Sequence, residues 1–99
     1  MQVLLALVRL SKNAYGMTIR REINDKTGRD VSIGAVYTTL ERMENKGFVS
    51  SRIGEPTPER GGRAKKYFRV EAPGLKALRN SKDTLTCMWK GITLAGGIT

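Results

Sequence analysis

A mainly α fold with one small β-hairpin is predicted by three features of this 99-residue sequence. Three short amphipathic stretches come first, the second and third each followed by a glycine. Two strand-like runs then flank a loop dense in Gly and Pro. A long final stretch repeats its apolar residues at the alternating spacing of a helix that offers one apolar edge.

The first helix is expected over Gln2 to Leu10, with Val3, Leu4, Leu7, Val8 and Leu10 forming a broad buried face. Ser11-Lys12-Asn13 breaks that pattern. A second helix follows from Met17 to Thr27, with Ile19 and Ile23 turned inward and Arg20, Arg21, Asp25 and Lys26 toward solvent. Gly28 suits the left-handed position that closes a helix. Arg29-Asp30-Val31 reads as a short extended link, and Ser32 as an N-cap whose hydroxyl accepts from a first-turn N–H. The third helix runs to about Lys46, is closed by Gly47, and buries the stripe Ile33, Val36, Leu40 and Met43.

Two helices joined by a short link, the second capped by Ser, form a helix-turn-helix. Phe48 to Ile53 and Lys65 to Val70 are the expected strands, and Gly54 to Gly62 belongs to the loop between them. That hairpin is a wing. Pro73 then opens a last helix, where its missing N–H is not needed, and the helix continues to about Ile92. The predicted architecture is a winged helix-turn-helix: a three-helix core with a two-stranded wing over residues 1–72, a C-terminal dimerisation helix over 73–92, and a frayed tail over 93–99.

Composition narrows the function. Eighteen Lys and Arg against nine Asp and Glu leave a net charge of +9, which favours a polyanionic partner over a purely solubilising role. There is no His and one Cys, Cys87, so neither structural zinc nor Cys-His or Ser-His catalysis is expected, and no internal disulfide can form. No cofactor is expected. The apolar run Met1 to Leu10 is too short to span a bilayer and lacks a basic segment ahead of it, so it reads as a buried helix in a cytoplasmic protein.

The charge is concentrated in the wing. Residues 52–69 hold six basic and two acidic groups, and Arg60, Arg63, Lys65, Lys66 and Arg69 follow one another with no acid between them. Each phosphate such a segment neutralises releases condensed counterions. Gly61 and Gly62 let the tip backbone come close to a sugar-phosphate wall or a minor groove. The competing reading is a solvated hairpin whose charge prevents edge-to-edge pairing.

Opposite its buried stripe, helix three presents Gly34, Ala35, Thr38, Glu41, Arg42 and Asn45. Recognition helices read bases mostly from their N-terminal half. Small residues there admit the helix deep into a major groove, Thr38 suits a base edge or a thymine methyl, and Arg42 a guanine or a phosphate. An ordinary solvated face is the plainer alternative. Tyr37 flanks the stripe and either meets a base or caps the core with its hydroxyl outward. The candidate DNA-binding set is Ser32, Gly34, Ala35, Tyr37, Thr38 and Arg42 on the helix, with Arg60, Gly61, Gly62, Arg63, Lys65 and Lys66 in the wing.

In the last helix Leu75, Leu78, Lys82, Leu85, Trp89 and Ile92 recur at heptad-like spacing, and with Met88 they form the candidate dimer interface. Packing on the chain's own first helix is the alternative. Lys82 disfavours deep burial and would snorkel or set register.

These stretches resemble the PadR-like family of winged-helix regulators. The resemblance rests on Ala14-Tyr15-Gly16, Val31 to Leu40, Lys46-Gly47-Phe48-Val49 and Arg60 to Phe68, and spans most of residues 4–89. It implies a dimeric cytoplasmic regulator, usually a repressor, that pairs through the C-terminal helix with help from the first. It also implies that helix three enters the major groove while the wing approaches the backbone or minor groove. Some members bind phenolic acids or drug-like aromatics between protomers, which makes Trp89 a candidate ligand contact; plain packing is the alternative. This sequence departs from the pattern in the few residues before the first helix, in Ala72-Pro73 ahead of the last, and in the tail after Trp89.

The expected function is sequence-specific binding of double-stranded DNA as a homodimer at a two-fold operator. The alternative is a non-specific nucleic-acid-binding architectural protein held by charge alone. An RNA-binding or protein-docking role lacks an aromatic platform, since Tyr67 and Phe68 alternate faces. Membrane-surface binding lacks a helix pairing a basic with an aromatic face. No Lys-Ser/Thr phosphate cradle follows Gly61-Gly62, and no carboxylate is paired for catalysis.

Overall fold

Helix α1 (Gln2–Leu10) is apolar on more than one side, and the fold uses this by giving it two neighbours. Val3, Leu4, Ala6 and Leu7 enter the core, whereas Leu5 and Val8 are half exposed. Val8 therefore leaves the buried face the sequence assigned to it, because the core subtends only part of the helix circumference. The computed structural model describes residues 1–54 and 65–92. Within them α1 is followed by a 3-10 turn (Ser11–Asn13), α2 (Gly16–Thr27), α3 (Ile33–Asn45), the strands β1 (Val49–Ile53) and β2 (Lys66–Val70), and α4 (Ala72–Trp89).

The start of α2 is tied down by Thr18, the buried polar side chain of this region. Its hydroxyl oxygen accepts from the Tyr15 N–H at 3.0 Å and lies 2.6 Å from the Asn13 carbonyl, to which it donates. Gly28 closes α2 in the left-handed conformation at φ 72°. The turn into α3 is held by α2 itself. Asn24 Oδ1 accepts from the Val31 N–H at 2.9 Å, and Arg20 Nε donates to the Val31 carbonyl at 2.8 Å. Arg20 is thus half-buried structural apparatus, not the solvent-facing group expected from its helical position, because the turn supplies a carbonyl that needs a donor.

Ser32 caps α3, its hydroxyl accepting from the Ala35 N–H at 3.1 Å. Val36 and Leu40 are buried and Met43 packs partly against the core, but Ile33 is 37 % exposed. The predicted stripe loses its first member, the residue that opens α3 directly after the Ser32 cap. Leu4, Ile19 and Leu40, one each from α1, α2 and α3, are the largest fully buried side chains at the centre of the core.

The strands pair antiparallel, with Val49 opposite Val70, Ser51 opposite Phe68 and Ile53 opposite Lys66. Tyr15 adds a third, short edge through an isolated bridge to Tyr67, and the Phe68 N–H donates to the Ala14 carbonyl at 2.8 Å. Alternation places Phe68 and Val49 in the core and Arg52, Tyr67 and Arg69 on the outer face.

Helix α4 begins against the link after α3. A Cβ on Gly74 would lie 2.8 Å from Val70 Cγ1 and collide with the Phe48 carbonyl, so glycine permits the close approach. Gly74 is buried, Leu78 packs partly on the core, and from Lys82 onward α4 is exposed. The helix stops at Trp89, three residues before the predicted end at Ile92, because the chain turns at Lys90 and Gly91 takes φ 79°. The predicted tail 93–99 lies outside the described residues.

Candidate nucleic-acid interface

Ser32, Gly34, Ala35, Tyr37, Thr38 and Arg42 are all exposed, and four of them, Gly34, Ala35, Thr38 and Arg42, share the outward side of α3. The Ser32 oxygen is already engaged in the cap. Thr38 donates its hydroxyl proton to the Gly34 carbonyl at 3.0 Å, as Thr39 does to Ala35. That geometry leaves Thr38 its lone pairs and its methyl, the equipment to accept from a base amino group or to touch a thymine methyl. Arg42 has no carboxylate within 4 Å among the described residues.

Tyr37 is 44 % exposed, yet its ring is anchored. It lies 6.5 Å from the Phe68 ring at a 60° tilt and covers Gly16 at the start of α2. The side chain thus joins α2, α3 and β2 and keeps one side open.

At the wing, Lys65 and Lys66 are exposed. Lys65 Nζ sits 4.4 Å from the Tyr15 ring centroid, and Lys66 Nζ 5.6 Å from that of Phe68. Contacts of this kind stabilise by about 0.5–1 kcal/mol at exposed sites. Arg60, Gly61, Gly62 and Arg63 lie outside the described residues. A further wing cation, Arg69, donates to Glu71 at 2.8 Å, and Ser50 donates to the same carboxylate. Those two hydrogen bonds, with the Arg69 charge, hold the Glu71 carboxyl below its ordinary value of 4.5.

The second candidate surface lies between α1 and α4. Leu75, Leu85, Met88, Trp89 and Ile92 are exposed, Leu78 packs partly on the core, and Lys82 is exposed beside them. Met1, just ahead of α1, and Leu5 and Val8 of α1 join Leu75, Leu78, Leu85 and Trp89 in lining a groove of about 710 Å³. The sequence reading did not single out Leu5. Its signal was there: Leu5 and Val8 are three apart and mark a second apolar side on α1. Tyr15, Tyr67 and Arg52 were likewise not assigned, since pairing across the sheet, not spacing, brings them together.

A family model for the transcriptional regulator PadR-like family matches residues 4–80. The chain belongs to the PadR-like family. Solved PadR structures share the fold of this PadR-like chain. The regulator from Eggerthella lenta is 26 % identical at a TM-score of 0.70, covering 90 % of this chain and 75 % of its own. That from Clostridium difficile is 21 % identical at 0.72, covering 90 % of each. A PadR-like regulator from Bacillus cereus is 20 % identical at 0.65, covering 91 % of this chain and 89 % of its own. Among curated proteins none matches. The winged-helix fold and the transcription-regulator family are therefore established. Among the described residues no helix is long and apolar enough to cross a membrane.

Proposed function

We propose that this PadR-like protein is a cytoplasmic repressor that binds a two-fold operator in double-stranded DNA as a homodimer. The observation that carries the reading is the outward side of α3, where Gly34, Ala35, Thr38 and Arg42 are exposed together and Arg42 has no carboxylate within 4 Å among the described residues. The small residues admit the helix to the major groove, Thr38 and Arg42 read base edges, and the basic wing follows the backbone. Ser32 and Tyr37 border the same surface.

Dimerisation would cover the apolar groove between α1 and α4. Leu75, Leu78, Leu85, Met88, Trp89 and Ile92 supply the apolar contact, and Lys82 reaches its rim. Two copies related by a two-fold axis would present two α3 helices to half-sites on one duplex. A small aromatic effector would rest on Trp89, which is 52 % exposed at this groove. Titration of Trp89 fluorescence with planar aromatic compounds tests that part, and no quenching across the panel rejects it.

Selection from a random duplex library at about 0.15 M salt tests the main reading, since non-specific charge binding is partly suppressed there. Enrichment of an inverted repeat is expected. Thr38→Ala with Arg42→Ala should then lose the preference for that repeat and retain affinity for unrelated duplex. No enriched sequence, with affinity that collapses as salt rises, would instead mark a non-specific architectural protein.

A further inference from the structure

The outer face of the wing holds its cations in two different ways. Arg69 is tied to a carboxylate, as are Arg9, Arg20 and Lys26 elsewhere, so much of its charge is neutralised locally. Arg52 and Lys65 have no carboxylate within 4 Å among the described residues. They are held by rings. Arg52 Cζ lies 4.8 Å from the Tyr67 centroid, and Lys65 Nζ 4.4 Å from that of Tyr15.

The two rings are themselves fixed. They meet edge to face at 5.4 Å, and the backbones of Tyr15 and Tyr67 form the bridge at the sheet edge. Arg52 stands opposite Tyr67 in the strand register. The Gly54 N–H donates to the Lys65 carbonyl at 2.7 Å, which closes the hairpin at this level. A Cβ on Gly54 would lie 2.9 Å from Tyr67 Cδ1, so glycine there leaves the ring its place. The result is a continuous row: Lys65, Tyr15, Tyr67, Arg52.

A ring orders a cation without cancelling its charge or consuming its strongest hydrogen-bond donors. A carboxylate orders it and neutralises it. Cations that are placed in advance, with no carboxylate within 4 Å among the described residues, suit a phosphate, because little side-chain freedom remains to be lost on binding. We propose that Arg52 and Lys65 form a phosphate clamp at the root of the wing, with Tyr15 and Tyr67 as its positioning residues. The clamp rests on the DNA-binding reading above and adds a backbone contact separate from α3 and from the wing tip.

The test is duplex affinity against salt, measured by fluorescence anisotropy on the selected operator and on an unrelated duplex. Arg52→Gln with Lys65→Gln, both at exposed positions, should flatten the slope of log K against log salt by about 3.6 per homodimer on both duplexes, about 0.9 for each phosphate no longer neutralised and two phosphates for each protomer. Tyr67→Leu, which removes one ring from each protomer of the homodimer, should weaken both affinities by about five- to thirtyfold while keeping all charges, and Tyr67→Phe should bind like the parent protein. An unchanged slope in the double variant overturns the clamp, whether or not the Leu variant folds. Unchanged affinity in a folded Tyr67→Leu variant overturns the positioning role. If the parent protein itself shows no salt-dependent duplex binding, the DNA-binding reading falls and the clamp with it. A parent that binds, alongside a double variant of equal slope, removes the clamp alone.

Discussion

The ring of Tyr37 fills the space that a side chain on Gly16 would need. An ideal Cβ at Gly16 would lie 2.6 Å from Tyr37 Cζ and 2.8 Å from Cε2. The first residue of α2 and the exposed shoulder of α3 are therefore fitted to one another, with Phe68 of β2 behind the ring.

Gly16→Ala should destabilise the fold by about 1–3 kcal/mol, the usual cost of overpacking. Combining it with Tyr37→Ala should recover part of that loss, since the obstructing ring is gone. Urea denaturation of the two single variants and the double gives the coupling energy. Strict additivity would mean that the two residues do not share this space.

Leu40→Ala should cost about 2–5 kcal/mol. Leu40 is fully buried and lies on the side of α3 facing α1 and α2, so the cavity opens at the centre of the domain. Thermal unfolding followed by circular dichroism checks it. Thr38→Ala, on the opposite side of the same helix, should change stability by no more than about 0.5 kcal/mol.

Ser32→Ala should lower stability by about 1 kcal/mol, because the Ala35 N–H loses its acceptor. Ser32→Asp should retain it, since a carboxylate accepts from the same N–H and suits the helix N-terminus. Denaturant midpoints of the three proteins separate the outcomes.

Glu71 predicts an acid dependence. Its folded carboxyl titrates below the ordinary 4.5, so the unfolded chain binds the proton more readily. The stability it contributes is present above that value and is lost as pH falls through the folded pKa. Glu71→Gln should therefore be less stable than the parent at neutral pH, and the gap should narrow at acid pH. Denaturation midpoints across that range measure the gap, and a constant difference would refute the linkage.

Leu85→Arg places a charge in the groove between α1 and α4, where Leu85 is 55 % exposed in one chain. If two copies bury that groove, sedimentation velocity should show a dimer for the parent and a monomer for the variant. The circular dichroism spectrum should stay unchanged, since Leu85 takes no part in the core.

The boundaries that could be read locally were legible. Gly28, Ser32 and Pro73 act through their own backbone and nearest neighbours, so each signals its helix end without reference to the rest of the fold. The outward side of α3 was legible for the same reason, because helical spacing alone separates Thr38 and Arg42 from Val36 and Leu40. Ile33 and Val8 were misplaced because periodicity gives the direction of a side chain but not how far the neighbouring elements extend. Arg20 was misplaced because its partner, the Val31 carbonyl, is eleven residues away across a turn.

By itself the sequence determined the order and kind of the elements, the helix caps, the side of α3 left to solvent, and the excess positive charge. Tertiary structure alone decided what meets across elements. Tyr37 on Gly16, Arg52 on Tyr67, Lys65 on Tyr15, and Leu5 in the same groove as Trp89 all depend on how separate elements dock. The physical reason is range. Backbone preference and amphipathic period act over a few residues of chain, whereas these contacts depend on core packing and strand pairing that bring distant residues together in space.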